Sequence, residues 1–162
     1  MDLDHDIYRK ELTRAMRSLA RRPRSTAGFV AILEERELPH EWIDEIVSEL
    51  TSHGFLNDER FAEAYARSRL ERLYGPDRVV RELVEMGIGE APAEQMLARL
   101  LREDFDEDKT LAEALARRLR VKGEPETPRQ LKNLSDFLLR RGFRPQMVRE
   151  ALDVWFGRIL GG

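Results

Sequence analysis

The sequence has no cysteine, few aromatic residues and no long apolar run. The absence of cysteine from the 162 residues excludes disulfides and cysteine-ligated metals. No stretch approaches the ~20 apolar residues that a membrane-spanning helix needs. The acidic start Asp2-Leu3-Asp4 also differs from the basic and then apolar start of a signal peptide. We therefore expect a soluble, cytoplasmic protein.

The chain also lacks a recognisable catalytic or metal-binding motif. The only calcium-like stretch is Asp104-x-Asp106-x-Asp108, which has Lys109 where such a loop needs glycine and Leu115 where it needs glutamate. No glycine-rich phosphate loop and no serine-histidine-acid arrangement is present. The three histidines are isolated from one another, at His5, His40 and His53. We expect neither an enzyme nor a protein with a metal or cofactor.

What the chain has in abundance is charge, and the two signs occur in separate blocks. The formal net charge is only −3. Residues 9–24 nevertheless carry seven basic side chains and one acidic one, whereas residues 25–64 carry two basic and ten acidic. Residues 65–81 and 109–149 are again basic, and residues 82–108 are acidic. This alternation predicts separate positive and negative stretches on the surface, although solvated helix faces can also segregate by sign without any function.

An internal repeat organises the apolar residues. Phe29-Val30-x-x-Leu33 recurs 50 residues later as Val79-Val80-x-x-Leu83, and more weakly as Leu134-Ser135-x-x-Leu138. Each copy leads into an apolar turn that a proline follows, at Pro39, Pro92 and Pro145, where the missing N–H costs a new helix nothing. Apolar residues within each copy recur at helical spacing, and no segment alternates as a strand does. The period therefore predicts a tandem array of helical units.

We predict an all-α fold of three tandem three-helix repeats, each resembling a helix-turn-helix, that stack into an elongated curved rod. The repeats are predicted at residues 1–56, 57–103 and 104–162, the last with a short C-terminal tail. Trp42 and Trp155 are predicted to anchor the cores of the first and third repeats. The predicted helices are 8–22, 26–36, 39–53, 58–73, 76–86, 91–102, 107–121, 128–141 and 145–156.

Local signals mark where these helices begin and end. Asn57 and Asp58 are predicted to cap the first helix of the second repeat, and Gly75-Pro76-Asp77 and Thr127-Pro128 to start two further helices. Glycines are predicted to end helices in the left-handed conformation that other residues avoid. These are Gly54, Gly87, Gly123 and Gly142.

The most specific string runs from Gly54 to Arg69 and reads GFLNDERFAEAYARSR. It is followed by Tyr74-Gly75-Pro76-x-x-Val79-x-x-Glu82-Leu83 and Met86-Gly87-Ile88, and Arg140-Arg141-Gly142-Phe143 forms a related turn. Together these motifs resemble the RecX family, over about residues 8–156 and most strongly in the second repeat. The resemblance implies three tandem three-helix repeats.

The same resemblance implies a monomeric regulator of DNA repair that binds the RecA recombinase or its nucleoprotein filament. Such a protein inhibits strand exchange, ATP hydrolysis and the co-protease activity of the SOS response. The candidate partner-binding residues are the basic side chains of the second and third repeats, in which Arg69 and Arg72 are spaced to share a helix face. They are Arg67, Arg69, Arg72, Arg78, Arg81, Arg117, Arg118, Arg120, Lys122, Arg140 and Arg141.

Two other functions fit a helical repeat protein. One is DNA binding through helix-turn-helix units, but a recognition helix needs basic or amide side chains. The third helix of the first repeat instead carries Glu41, Asp44 and Glu45 and no lysine or arginine. The acidic pI, near 5.8, also makes direct DNA binding weak or uncertain. The other function is that of an α-helical scaffold for an unrelated partner.

Overall fold

The computed structural model describes residues 3–161, and within this range the chain forms nine helices and no strand. This confirms the predicted all-α repeat fold. Within the same range no helix is long and apolar enough to cross a membrane. The helices are α1 (Leu3–Arg21), α2 (Thr26–Glu35), α3 (His40–Ser52), α4 (Asp58–Glu71), α5 (Pro76–Glu85), α6 (Glu90–Glu103), α7 (Glu107–Lys122), α8 (Pro128–Arg140) and α9 (Pro145–Leu160).

The predicted helix caps are present in the structure, with one exception. Thr127 and Gln130 form a complete capping box at the start of α8. The Asn57 side chain accepts a hydrogen bond from the backbone N–H of Arg60 at the start of α4, over 2.9 Å. Asp58 instead accepts from the backbone N–H of Thr26 over 2.7 Å. The prediction that Asp58 caps its own helix is therefore wrong, because its carboxylate caps α2 from a neighbouring repeat.

The chain divides into two compact units that do not follow the repeat boundaries. The first comprises the residues up to Ala64 together with Glu85–Gly89, and the second comprises Tyr65–Val84 together with the residues from Glu90 onward. In the first unit, Phe29, Leu33, Ile46 and Leu50 form the centre of a core between α1, α2 and α3. In the second unit, Leu73 joins a core that is otherwise built from α7, α8, α9 and the turn at Phe143.

Both units contain the same joint, in which the start of one repeat's middle helix docks on the turn after the next repeat's middle helix. In the first unit, the Ser25 hydroxyl donates to the carbonyl of Met86 over 2.6 Å. A Cβ on the following residue, Gly87, would overlap the side chain of Ala27. The joint therefore requires a residue without a side chain at the turn.

The second unit makes this joint through backbone hydrogen bonds. Gly75 N–H donates to the carbonyl of Arg141 over 2.7 Å, and Asp77 N–H donates to the carbonyl of Gly142 over 3.1 Å. A Cβ on Gly75 would overlap the backbone of Gly142, and a Cβ on Gly142 would overlap Arg78. The predicted left-handed glycines at 54, 87, 123 and 142 are all confirmed, and two of them also permit these close contacts.

Neither of the two tryptophans predicted to anchor cores is fully buried. Trp42 is half-buried and meets the Tyr8 ring edge-to-face at 5.9 Å. Trp155 is half-buried and packs against the core of the second unit, and its indole N–H donates to Glu124 over 3.3 Å. The fully buried aromatic residues are Phe29 and Phe143. Partial burial suits a ring that carries a polar N–H.

Gly142→Ala should destabilise the protein far more than Gly54→Ala. Both glycines have positive φ, so alanine at either costs about 1 kcal/mol in backbone strain. Only at Gly142 does the new methyl group also overlap Arg78, which adds roughly 1–3 kcal/mol of overpacking. Urea unfolding of both variants measures the difference. Equal losses of stability would contradict the close contact between residue 142 and Arg78.

Phe29→Ala should cost about 3–5 kcal/mol, because its ring is 1% exposed at the centre of the first unit. Trp42→Ala should cost clearly less, since that ring is only partly buried. Thermal unfolding followed by circular dichroism compares the two. A larger loss of stability for Trp42→Ala than for Phe29→Ala would contradict this assignment and place the centre of the core near Trp42 and Tyr8.

Candidate partner-binding surface

A single carboxylate, that of Glu82, organises the basic residues of α4 and α5. It accepts hydrogen bonds from Tyr65 Oη over 2.8 Å, from Arg69 Nε over 2.7 Å and from Arg78 Nε over 2.8 Å. A second Arg69 nitrogen completes a two-pronged ion pair with it. Only 15% of the Glu82 side chain is exposed. Such fork-like pairing is the strongest form of ion pair at this degree of burial.

The surroundings of Glu82 act on its pKa in opposite directions. Burial raises the pKa of the carboxyl, but the hydrogen bonds from Arg69, Arg78 and Tyr65 favour the ionised form and together lower the pKa to about 2. Burial and the same carboxylate raise the pKa of Tyr65. Glu82 is therefore a fixed negative charge at neutral pH.

The ring of Tyr74 lies against three guanidinium groups. The Cζ atoms of Arg69, Arg141 and Arg78 are 4.1, 4.2 and 4.6 Å from the ring centroid, within the range of cation–π attraction. Three cations around one ring and one carboxylate, Glu82, leave an excess of two positive charges. The ring thus holds together side chains that would otherwise repel one another.

Arg141 links this cluster to the third repeat. Its Nε donates to the carbonyl of Leu73 over 2.8 Å, and a terminal nitrogen donates to the carbonyl of Arg72. Burial lowers the pKa of the Arg141 guanidinium, and the positive charges of Arg78, Arg69 and Arg117 lower it further. Arg117, on α7, is therefore close enough to belong to the same positive region.

The structure divides the eleven predicted binding residues into two groups. Five of them make contacts within the protein: Arg69, Arg78 and Arg141 as described, Arg67 with Asp104 at 2.6 Å, and Arg118 over the Phe137 ring at 4.7 Å. The other six have exposed side chains, at Arg72, Arg81, Arg117, Arg120, Lys122 and Arg140. Arg69 and Arg72 do not act as a pair, because Arg69 turns toward Glu82.

The positive region around Tyr74 is the strongest candidate for a binding surface. We call it the arginine surface and define it by Arg72, Arg78, Arg117, Arg140 and Arg141. Arg78 adds a hydrogen bond to the carbonyl of Arg140 over 3.1 Å, which holds α5 against the end of α8. Such a surface can bind an anionic group or an acidic patch on another molecule.

Tyr65, Tyr74 and Glu82 are the residues of this arrangement that the predicted set of binding residues omits. Tyr74 and Glu82 stand in the motif from Tyr74 to Leu83, and Tyr65 stands in the string from Gly54 to Arg69. The spacing of Arg78 and Glu82, four apart on a helix, is a signal for their ion pair. Nothing in the sequence indicates that Arg141, 67 residues after Tyr74, stacks on the same ring.

Glu82→Gln should remove a pH-dependent part of the stability. Because the folded protein lowers this pKa from 4.5 to about 2, the stabilisation is present above pH 4.5 and disappears as the pH falls toward 2. At pH 7 we expect a loss of about 3 kcal/mol, since the pKa falls by about 2.5 units and one unit corresponds to about 1.4 kcal/mol.

Urea unfolding at pH 7 and at pH 3 measures this effect, with Glu85→Gln as the control because Glu85 is exposed on the same helix. The gap between Glu82→Gln and the parent protein should narrow at the lower pH. A gap that is equal at both values would show that Glu82 stabilises the protein without its charge.

The profile of the second three-helix domain of RecX matches residues 57–97. The Regulatory protein RecX of Halorhodospira halophila is 34% identical over 139 residues, covering 85% of this chain and 83% of that protein. Some other RecX proteins are longer, and the chain spans 54% of the one from Listeria monocytogenes.

Two solved structures have a similar fold. A crystal structure of regulatory protein RecX superposes with a TM-score of 0.71 at 27% identity, covering 90% of this chain and 71% of that one. The crystal structure of RecX from Lactobacillus salivarius gives a TM-score of 0.76 at 21% identity, covering 93% and 99% of the two chains. The identity and coverage of the Halorhodospira relative, with the match at residues 57–97, show that this chain belongs to the RecX family of regulatory proteins.

Proposed function

We propose that this protein binds a RecA-type recombinase, or the filament that it forms on DNA, and inhibits strand exchange, ATP hydrolysis and SOS co-protease activity. The arginine surface is the observation that carries this proposal. Its ring-stacked guanidinium groups are held rigid, so little conformational entropy is lost when a partner binds. The regulatory role named for the relatives supports action through a partner rather than through catalysis.

The contact that we propose pairs the arginine surface with acidic side chains of the recombinase. Within the surface, Glu82 neutralises only part of the charge of Arg69 and Arg78. Arg72, Arg117 and Arg140 are exposed at its margin. Exposed charges of this kind mainly raise the association rate and select the partner. The inhibition should therefore weaken as the salt concentration increases.

A helix-turn-helix mode of DNA reading has less support. The outer face of α3, which would have to enter the groove, exposes Glu41, Asp44 and Glu45. Carboxylates along a recognition helix are repelled by phosphate and offer few base contacts. We therefore propose that the principal partner is a protein and that this protein does not read a DNA sequence.

The proposal is tested with Arg72→Glu combined with Arg140→Glu in a recombinase ATPase assay on single-stranded DNA. We expect the concentration that halves the ATPase rate to rise at least about tenfold, with a smaller change at high salt. Arg69→Glu is unsuitable, because it would place a second carboxylate beside Glu82 and disturb the fold.

The matched control is Arg129→Glu combined with Arg149→Glu, two exposed residues of α8 and α9 outside the arginine surface. It carries the same change in net charge and should inhibit as the parent does. Circular dichroism checks that both variants keep their helicity. Equal inhibition by the two variants would remove the arginine surface from the mechanism, and no inhibition by the parent would refute the function itself.

A further inference from the structure

The first compact unit has a positive surface of its own, on the outer face of α1. Lys10, Arg14, Arg17 and Arg21 follow one another at steps of four, three and four residues, and all four are exposed. At 3.6 residues per turn these steps keep them within a stripe about 60° wide and about 16 Å long. We call these four residues the α1 row.

The α1 row points away from the core. The opposite side of the helix buries Ala15 and Leu19, with Tyr8, Leu12 and Met16 packed beside them. The row therefore takes no part in holding the unit together. Arg9 and Thr13 lie beside the α1 row and line a groove together with three of its members, Lys10, Arg14 and Arg17.

The acidic groups near α1 leave most of the row uncompensated. Glu11 turns away and forms an ion pair with Arg36. Glu45 and Glu49 act on Tyr8, whose pKa is raised by burial first and by these two carboxylates next. Only Asp6 borders the groove, at its N-terminal end next to Lys10. The stretch from Arg14 to Arg21 is thus a line of like charges.

We propose that the α1 row binds the phosphate backbone of a single strand of nucleic acid, without reading its sequence. A straight line of cations suits a polyanion, whose phosphates lie in a row and release counterions when neutralised. A helix that enters the major groove of a duplex has phosphates on both of its flanks. The α1 row occupies one stripe and so contacts one strand.

This contact explains how a protein with an acidic pI near 5.8 can hold DNA. Phosphates respond mainly to charges within about a Debye length, roughly 10 Å at 0.1 M salt. A phosphate beside α1 is therefore attracted by the α1 row and is little affected by the net charge of the whole protein. The affinity is modest, because four cations release few counterions. The proposal concerns α1 alone and is independent of the arginine surface.

The test is the fluorescence anisotropy of a labelled oligothymidine of about 20 nucleotides, longer than the ~4–16 nucleotides of a typical single-strand site, without recombinase. For four phosphates, the logarithm of the association constant should fall with the logarithm of salt concentration with a slope of about −2.8. Arg14→Gln combined with Arg17→Gln should reduce this slope to about −1.4 and weaken binding at low salt about tenfold or more.

Two controls make the result specific. Glutamine is a good helix former, so the variant should melt as the parent does, and Arg129→Gln combined with Arg149→Gln should bind as the parent does. A duplex of the same length is measured in parallel. An unchanged salt slope in the α1 variant, or an effect seen only on the duplex, would overturn the assignment.

The recombinase assay separates this proposal from the proposed function. If the α1 variant binds oligothymidine normally but no longer inhibits the recombinase, the row contacts protein and the phosphate proposal is wrong. If the α1 variant loses oligothymidine binding and still inhibits the recombinase ATPase, the phosphate proposal stands.

Discussion

The close approach of backbone to backbone at the joint of the second unit is the constraint on which the arrangement of its arginines depends. Gly75 and Gly142 touch without side chains, so the start of α5 can donate two N–H groups to the turn after α8. The joint satisfies polar groups that a helix start and a helix end would otherwise leave unpaired. It also brings Arg78 beside the carbonyl of Arg140 and Arg141 beside Tyr74. The arginine surface is a consequence of this contact.

The turn of the first repeat has a different residue at the left-handed position from the turns of the other two repeats, and this difference shows why glycine is needed at the joints. It has a left-handed residue at the corresponding place, but that residue is Glu37, with φ 55°. In the other two turns the left-handed residue is Gly87 or Gly142, and a Cβ there would overlap Ala27 or Arg78. Glycine is thus required by the docking partner at those turns, beyond the strain that positive φ alone imposes.

The arginines of this protein fall into two groups. The less exposed ones hold the fold together, and the exposed ones are available to a partner. Arg69 is 17% exposed and forms a two-pronged pair with Glu82, whereas Arg72, one turn later, is exposed. A planar guanidinium can hydrogen bond along its edge and stack by its face at the same time. Arg141 does both, with carbonyl oxygens at its edge and Tyr74 at its face. Lysine could not replace it there.

The sequence alone determined the helices, most of their capping residues and the repeat, because these follow from local spacing and from residues such as Thr127 and Gly142 that act within a turn. Motif resemblance also determined the family. The division into repeats at 1–56, 57–103 and 104–162 stays a prediction. Only the tertiary structure decided how deeply each tryptophan is buried, that Asp58 caps α2, and which arginines are engaged. Apart from the Arg78–Glu82 pair, the hydrogen bonds and ion pairs involved join residues 13 to 69 positions apart, and no local pattern encodes the rotation of one helix against another.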